Sequence, residues 1–392
     1  MVKVNIGVFF GGVSVEHEVS VLSALQTINA IDKDRYNIIP IYISKEGYWY
    51  TGEQLLDIEN FKDLKKLLLE CSKIIIVNDE GSKVIYKYPF ALLSKKIVGN
   101  IDVAFPIMHG SNGEDGTLQG CFEMLDLPYV GCNVLASAVG MDKVITKTVL
   151  QDCGLPVTKY AWFYSKDWFL GSGKVKEKIF KKISYPVIVK PVNLGSSVGV
   201  TKASNDEELA KAVDLAVMFT NKILVEEMIV NLKEINCSAL GDYDDVKLSV
   251  CEEPVSAAEI LSYQDKYLSN GAKGMSAAVK KLPAEISEQV TRVIQDLAKQ
   301  TFINLGCSGV VRIDFLIDKE NEQIYVNEVN TLPGSLSFYL WEATGIGFTE
   351  LTHILIQLAL KKHREKSELI TTFESNLLSV GGASFGGKSK IK

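Results

Sequence analysis

The chain has 392 residues, 47% of them hydrophobic, which is enough for two or three domains with substantial cores. Its formal net charge of −6 argues against a broad surface for nucleic acid or anionic membrane, and no apolar run approaches the ~20 residues of a membrane span. Seven scattered cysteines without a CxxC pair, and the polar segment GGVSVEHEVS directly after Phe10, predict a cytoplasmic protein with reduced thiols and no signal peptide.

Strands and helices alternate over the first third of the chain. The apolar runs VNIGVFF, NIIPIYI, IDVAFPIM and LPYVG predict buried strands. Between the first two runs, apolar residues at helical spacing predict a helix over residues 18–31. This alternation is typical of an α/β domain with a parallel sheet, which we place in residues 1–136.

Two further blocks follow, residues 137–230 and residues 231–365. The first contains a helix in MDKVITKTVLQDCG closed by Gly154, the strands YPVIVKPV and ILVEEMI, and a helix over residues 207–219. The second contains the strands INCSALG and VKLSVCEEP, a helix over residues 287–304 and a hairpin. Residues 366–392 end in the Gly-, Ser- and Lys-rich VGGASFGGKSKIK, which predicts a disordered tail.

The hairpin, in SGVVRIDFLIDKENEQIYVNEVNTLPG, is polar on one face. Alternation along its second strand would place four residues together, Ile324, Val326, Glu328 and Asn330. A turn over residues 318–322 would set Asp314 opposite Glu328 and Arg312 opposite Asn330. Such oxygen atoms suit Mg²⁺ bound to nucleotide phosphates, and a buried salt-bridge network is the alternative that these residues leave open.

The segment VIVKPVNLGSSVGV favours an anion site. Lys190 ends an apolar strand, and Gly195, Ser196 and Ser197 follow, so that backbone N–H groups and hydroxyls could approach a phosphate. A plain Gly/Ser turn is the alternative. Lys143, at the start of the preceding helix, could face the same phosphates or could be an ordinary surface lysine.

Three other segments carry candidate binding groups. In ILVEEMIVNLKEI, the carbonyl of Glu227 and the N–H of Ile229 could bind an adenine edge, with Glu234 placed for ribose hydroxyls. In FFGGVSVEHEVS the glycine spacing does not match a dinucleotide-binding turn, and Glu16 could simply stabilise a helix N-terminus. In MHGSNGEDGTLQG, His109 could simply cap the loop.

The joint order of these motifs carries a resemblance. GGVSVEHEVS, HGSNGEDGTLQG, MDK, VKPVNLGSSVGV, EE with Glu234, SYQDKYLS, RIDF and NEVNTLPG resemble, in sequence and spacing, the D-alanine–D-alanine ligases of the ATP-grasp superfamily. The likeness runs from about Asn5 to Leu360. It implies an ATP-grasp fold, of α/β and α+β class, preceded by an N-terminal parallel-sheet α/β domain. It also implies a cytoplasmic homodimer that makes D-alanyl-D-alanine for peptidoglycan through an acyl phosphate.

The resemblance implies a nucleotide and metal site. ATP would be held by Lys143, Lys190, Gly195, Ser196, Ser197, Val198, Glu226, Glu227, Ile229 and Glu234. Of these, the two lysines would contact phosphates and residues 195–198 would form a closing loop. Two Mg²⁺ ions, for which Mn²⁺ could substitute, would be bound by Asp314, Glu328 and Asn330, with Glu328 bridging them.

The resemblance also implies the catalytic and substrate-binding groups. Arg312 and the backbone N–H of Gly334 would stabilise the tetrahedral oxyanion, and Glu16, with His109, would orient the first D-alanine. Glu16 would be linked through Ser196 to Tyr267. Depsipeptide ligases have a histidine in the loop of Tyr267, so tyrosine favours an amine acceptor.

One departure from the family falls in the acceptor site. Where the family has Ser-His-Ser-Leu, with the second serine on the acceptor carboxylate, this chain has Ser337, Phe338, Tyr339 and Leu340. The phenol of Tyr339 would contact that carboxylate, or its ring would pack as part of an aromatic lid. D-Serine or D-lactate as acceptor, and a non-catalytic ATP-binding regulatory protein, are the alternatives. The intact arginine, lysines and metal-ligand set argue against the last.

Overall fold

The computed structural model describes residues 3–90, 96–195, 198–254 and 280–373. No single helix in these residues is long and apolar enough to cross a membrane. Among these residues one bent pair of helical segments, Gly334–Thr344 and Phe348–Ser367, passes the same length and composition test when the two are counted together. The angle between them is 115°.

The N-terminal block is a mixed sheet of seven strands. They are β1 (Val4–Gly11), β2 (Tyr36–Ile43), β3 (Trp49–Thr51), β4 (Ser72–Asp79), β5 (Ser82–Lys87), β6 (Ile97–Ile101) and β7 (Val103–Ile107). Their order is β6-β5-β4-β3-β2-β1-β7. Only β1 is parallel to its neighbours β2 and β7, and all other pairs are antiparallel.

The predicted parallel sheet is confirmed at the centre of this block, and one predicted strand was wrong. The parallel strands form the buried centre of a mixed sheet, and β3 to β6 extend this sheet with antiparallel pairs. The outermost strand, β6, lacks a continuous buried apolar pattern, and its Ile97 is 60% exposed. LPYVG forms a single bridge between Tyr129 and Ala104 instead of a strand. Pro128 has no N–H to continue a ladder.

The other two blocks are antiparallel sheets. The central sheet contains β8 (Tyr160–Tyr164), β9 (Val187–Pro191), β10 (Thr201–Ala203) and β11 (Lys222–Glu227), in the order β10-β9-β11-β8. The C-terminal sheet contains β12 (Leu232–Gly241), β13 (Val246–Pro254), β14 (Lys280–Lys281), β15 (Gly309–Asp318) and β16 (Ile324–Asn330), in the order β14-β13-β12-β15-β16.

The helices cover these sheets. They span His17–Ala30, Leu64–Glu70, Thr117–Met124, Val134–Met141, Lys143–Asp152, Ser165–Phe180, Asp206–Ala216, Glu288–Asn304, Phe338–Thr344 and Phe348–Ser367, with 3₁₀ turns at Glu53–Leu56, Ile58–Asp63 and Gly334–Ser337. The helices expected at 18–31, 207–219 and 287–304 are present within three residues at each end. The last helix passes residue 365, and the predicted tail lies outside the described residues from 374 onward.

The hairpin of β15 and β16 has the predicted register, with Asp314 opposite Glu328 and Arg312 opposite Asn330. The predicted face of β16 was wrong in one respect. Phe315 pairs with Val326, so Asn327 is an extra residue that forms a bulge. The bulge turns Val326 into the apolar core, where it is 0% exposed, and away from the face of Glu328.

The N-terminal and C-terminal blocks share a hydrophobic core. Phe10 and Phe105 of the N-terminal sheet belong to the same buried cluster as Val310, Trp341 and Leu355. The central sheet has a separate core that includes Phe163, Val189 and Val225. The first and third blocks are therefore packed as one body, and the central sheet meets that body along a polar cleft.

Candidate active site

A row of polar side chains crosses the C-terminal sheet. Glu252 on β13 pairs with Asn236 on β12, Asn236 with Asp314 on β15, and Asp314 with Glu328 on β16. Directly paired residues of neighbouring strands point to the same face. The sheet thus presents three carboxylates and one amide in a line on the face toward the cleft.

Arg312 and Asp314 form a two-pronged ion pair in this face. Nε of Arg312 donates to Oδ1 of Asp314 at 2.7 Å, and Nη2 donates to Oδ2 at 2.9 Å. Nδ2 of Asn330 also donates to Oδ2 of Asp314, at 3.0 Å. Burial by itself would lower the pKa of Arg312, but the charge and hydrogen bonds of Asp314 raise that pKa well above its usual value. Arg312 is therefore a permanent cation in the cleft.

Lys143 brings a second cation to the same face. Asp142 caps the helix that Lys143 begins, accepting from the N–H groups of Val144 and Ile145 at 3.0 Å. The Nζ atom of Lys143 lies 3.0 Å from Oε1 of Glu328 and donates to the carbonyl of Leu194 at 2.8 Å. Lys143 thus connects Glu328, a predicted metal ligand on β16, to the loop that precedes Gly195.

Glu226, at the end of β11, lies between two lysines. Lys147 Nζ is 2.7 Å from Oε1 and Lys190 Nζ is 2.5 Å from Oε2, and Glu226 is 2% exposed. Burial raises the pKa of Glu226, but the charges of the two lysines outweigh burial and lower it to about 2. Burial also lowers the pKa of Lys147, against the charge of Glu226. Lys190 donates further to Oδ1 of Asn327 in the β16 bulge, at 3.4 Å.

The predicted adenosine contacts lie at the edge of the central sheet. The side chain of Glu227 accepts from the N–H of Lys159 at 3.0 Å, so its carboxylate is turned to β8 and not to the cleft. Ile229 is half-buried after β11, and Glu234 lies on β12 opposite Leu316. Burial lowers the pKa of Lys190, but the charge of Glu226, followed by those of Glu328 and Glu234, raises it above its usual value. Glu234 therefore acts on Lys190 across the cleft.

Glu16 connects the N-terminal sheet to the glycine loop. It is 7% exposed. A Cβ atom on Gly195 would lie 3.4 Å from Oε2 of Glu16, and one on Gly110 would lie 2.8 Å from the same oxygen. Both glycines therefore let backbone pack directly against this carboxylate. Ser196, Ser197 and Tyr267, which would complete the predicted link, lie outside the described residues, and Val198 resumes the chain after the gap.

His109 contacts a bridging hydroxyl that the sequence did not indicate. Nε2 of His109 is 3.1 Å from Oγ of Ser23, and the N–H of Ser335 donates to the same oxygen at 3.3 Å. Oγ of Ser335 donates to Oε1 of Gln26 at 2.6 Å. The helix His17–Ala30 therefore holds the turn that follows Gly334.

That turn is conformationally unusual. Ser335, Leu336 and Ser337 have φ values of 46°, 56° and 47°. Left-handed backbone is unfavourable for residues with a Cβ atom, and three in succession persist only where surrounding contacts impose them. The turn follows the end of β16 at Asn330 and contacts β15, the strand that carries Arg312.

Tyr339 follows the turn and contacts the far end of the carboxylate row. Its hydroxyl donates to Oε2 of Glu252 at 2.8 Å. Burial raises the pKa of the phenol above its usual value, against the charge of Arg312, so the hydroxyl keeps its proton. Its ring meets Phe338 edge-on at 6.2 Å, and Nε1 of the buried Trp341 donates to Oγ of Ser238 at 3.1 Å. Leu340 is 0% exposed.

The arrangement suits an oxygen-ligated cation. Asp314, Glu328 and Asn330 share one face, while Arg312 and Lys143 neutralise the two carboxylates. Within the described ranges, no group of three or more His, Cys, Asp or Glu side chains converges as a ready metal centre. Two carboxylates and an amide leave coordination positions for phosphate oxygens, as hard divalent ions bound to nucleotides require.

Known proteins that resemble this chain over nearly its full length are ligases. A D-alanine–D-alanine ligase of Thermosipho melanesiensis is 40% identical over 380 residues, which cover 96% of this chain and 98% of that protein. The structure of the Coxiella burnetii D-alanine–D-alanine ligase has a TM-score of 0.77 at 32% identity, with 93% of this chain and 96% of that chain covered. The VanG D-Ala:D-Ser ligase of Enterococcus faecalis has a TM-score of 0.76 at 32% identity, with coverage of 91% and 100%.

An N-terminal α/β sheet followed by two antiparallel sheets around a cleft of lysines and carboxylates defines an enzyme of the ATP-grasp type. The family model for the D-Ala–D-Ala ligase N-terminus matches residues 5–132, and that for the C-terminus matches residues 149–357. The chain belongs to the D-alanine–D-alanine ligase family.

Proposed function

We propose that this chain is an ATP-dependent ligase that joins two D-alanines into D-alanyl-D-alanine for peptidoglycan synthesis. The observation that carries the proposal is the convergence, on one face of the cleft, of Arg312 and Asp314 with Lys143 and Glu328. A protein that only bound nucleotide would not need an arginine beside the metal-type carboxylates. The family name favours D-alanine over D-serine or D-lactate as acceptor.

Each polar group has a role in this proposal. Lys143 and Lys190 contact the ATP phosphates, and Gly195 to Val198 close over them. Glu227, Ile229 and Glu234 hold the adenosine. Glu226 positions Lys190 through their ion pair. Two Mg²⁺ ions bound by Asp314, Glu328 and Asn330 would neutralise charge on the transferring phosphoryl group.

The ligation itself depends on positioning. The carboxylate of the first D-alanine attacks the γ-phosphate, and ADP leaves. The amine of the second D-alanine then attacks the acyl carbon, and phosphate leaves. Glu16 and His109 orient the first D-alanine, and Arg312 with the N–H of Gly334 faces the oxyanion. Ser196 and Tyr267 extend the contact of Glu16.

The proposal includes the organisation of the chain. The substrate domain is residues 1–136, the two ATP-grasp lobes are residues 137–230 and 231–365, and residues 366–392 form the tail. The protein acts in the cytoplasm as a homodimer. The shared core of the first and third blocks supports a rigid body against which the central lobe can close.

Phosphate release tests the proposal. The purified chain with MgATP should release phosphate only when D-alanine is present, and mass spectrometry should identify D-alanyl-D-alanine in equal amount. L-Alanine is the control substrate. ATP hydrolysis that does not depend on D-alanine, or phosphate release without dipeptide, would contradict the proposed function.

A further inference from the structure

The far end of the carboxylate row contains a lysine that neither the motifs nor the family resemblance indicated. Lys280, on β14, places its Nζ atom 3.3 Å from the centroid of the Tyr339 ring. The same atom is 3.9 Å from Oε1 of Glu252. Three groups from β13, β14 and the helix Phe338–Thr344 thus meet at one point of the cleft.

The hydroxyl of Tyr339 is already used within this cluster. A phenol has one hydrogen to donate, and Tyr339 donates it to Oε2 of Glu252 at 2.8 Å. Nδ2 of Asn236 donates to the same oxygen at 3.2 Å. Glu252 is 4% exposed and cannot turn to water for another partner. Tyr339 is therefore not free to donate to a substrate carboxylate.

Lys280 has the donors that Tyr339 lacks. Its ammonium carries three N–H groups, its side chain is 29% exposed, and within the described part of the chain its nearest carboxylate oxygen is beyond hydrogen-bond distance. The ring of Tyr339 holds the ammonium from one side by a cation–π contact. Among the described residues the ammonium donates no hydrogen bond, so its N–H groups can bind a ligand.

The cluster of Lys280, Glu252 and Tyr339 lies near Arg312, which is proposed to face the oxyanion. Glu252 and Asp314 are separated by one strand in the row, and the charges of Tyr339 and Glu252 both act on Arg312. The acceptor amine must approach the acyl carbon at Arg312, and the acceptor carboxylate is two bonds from that amine. A buried glutamate at this place would repel the carboxylate unless a cation stood between them.

We propose that Lys280 binds the carboxylate of the acceptor D-alanine, and that Glu252 and Tyr339 are positioning residues that hold its ammonium in place. This assignment rests on the proposed function and names how the acceptor is recognised. It explains how the chain can carry Tyr339 where the family has a serine. Lys280 on β14 would make the contact with the acceptor carboxylate that the serine makes in the family.

Lys281 provides a matched control. It is the next residue on β14, so its side chain points to the other face of the sheet. Its Nζ atom pairs with Oε2 of Glu285 at 2.5 Å in an exposed position. The variants Lys280→Gln and Lys281→Gln therefore remove the same charge from opposite faces of one short strand.

The test is steady-state kinetics at saturating MgATP that resolves the two D-alanine sites. Lys280→Gln should raise the acceptor KM at least tenfold and leave the KM of the first D-alanine and of ATP within twofold, and Lys280→Arg should recover most of the loss. Lys281→Gln should match the wild type. An acceptor KM for Lys280→Gln within twofold of that for Lys281→Gln would overturn the assignment.

D-Alaninamide as acceptor separates recognition from structure. It lacks the carboxylate charge, so the wild type should prefer D-alanine, and Lys280→Gln should lose most of that preference. An equal loss with both acceptors would show a merely structural role and would also overturn the assignment. If the wild type shows no D-alanine-dependent phosphate release, the proposed function fails and this assignment fails with it. If the wild type is active and the acceptor KM of Lys280→Gln is unchanged, only the assignment of Lys280 is contradicted.

Discussion

Lys143 and Glu328 form an ion pair across the cleft, with Nζ 3.0 Å from Oε1. The lysine begins the first helix of the central block, and the glutamate lies on the last strand of the C-terminal sheet. In the proposed reaction one contacts phosphate and the other metal. If the proposed roles hold, MgATP binding would replace this ion pair with a phosphate contact on the lysine and a metal contact on the glutamate.

Replacement of Glu328 by glutamine tests this exchange. Glu328→Gln keeps the shape but removes the charge, so turnover should fall by about a thousandfold or more because the phosphoryl group loses its counter-ions. The measurement is kcat for phosphate release, with Mn²⁺ binding followed by electron paramagnetic resonance. Glu320→Gln, in the exposed turn of the same hairpin, should be silent. Turnover of Glu328→Gln within tenfold of wild type would refute the metal role.

The buried triad of Lys147, Glu226 and Lys190 should make stability depend on acid pH. The pKa of Glu226 is about 2 in the folded protein and lies near 4.3 in an unfolded chain. The carboxylate therefore contributes stability that is fully present above about pH 4.3 and is lost as the pH falls toward 2. Glu226→Gln leaves two buried lysines without a counter-charge and should lower the free energy of unfolding by about 3 to 5 kcal/mol at pH 7.

Denaturant unfolding from pH 7 to pH 2.5 checks the sign. The difference between wild type and Glu226→Gln should shrink as the pH falls through the acid window. Glu207→Gln is the control, because Glu207 pairs with Lys211 at 2.7 Å on an exposed helix surface and such pairs contribute little. A difference that stays constant down to pH 2.5 would show that the triad is not held by the ionised glutamate.

Ser23 is expected to act on turnover through the left-handed turn. Ser23→Ala removes the oxygen that joins His109 to the N–H of Ser335, so the buried N–H loses its partner and the turn can relax. We expect kcat to fall by about tenfold, which corresponds to ~1.4 kcal/mol, while the KM of ATP stays within twofold. Thr27→Ala is the control, because its hydroxyl bonds the Ser23 carbonyl in the same helix. Equal losses in both variants would indicate only helix destabilisation.

The sequence was sufficient for much of the fold and for one half of the site. The register of Asp314 with Glu328 was predictable because strand alternation and turn length are local properties. The bulge at Asn327 was not, since a single extra residue leaves no mark in an alternating pattern until the partner strand is known. The result was the misplacement of Val326.

Groups brought together by strand order were missed. Glu252 lay in a correctly predicted strand, but its alignment with Asn236 and Asp314 depends on β12 lying between β13 and β15. Lys147 had a signal, because it lies four residues after Lys143 on one face of a helix. Its burial against Glu226 depended on packing with the central sheet, which local patterns do not contain.

Tyr339→Phe distinguishes a phenol that binds substrate from one that positions a neighbour. If the hydroxyl bound the acceptor carboxylate directly, its loss would weaken acceptor binding by about ten- to hundredfold, as for a hydrogen bond to a charged group. In the structure the hydroxyl donates to Glu252, and the ring makes a cation–π contact with the ammonium of Lys280. Tyr339→Phe retains that ring. We therefore expect the acceptor KM of Tyr339→Phe to rise by less than tenfold, and that of Tyr339→Ala, which removes the ring, to approach the value for Lys280→Gln. The three acceptor KM values, measured with ATP and the first D-alanine saturating, decide between the two roles. A Tyr339→Phe variant as impaired as Lys280→Gln would return the carboxylate contact to the phenol.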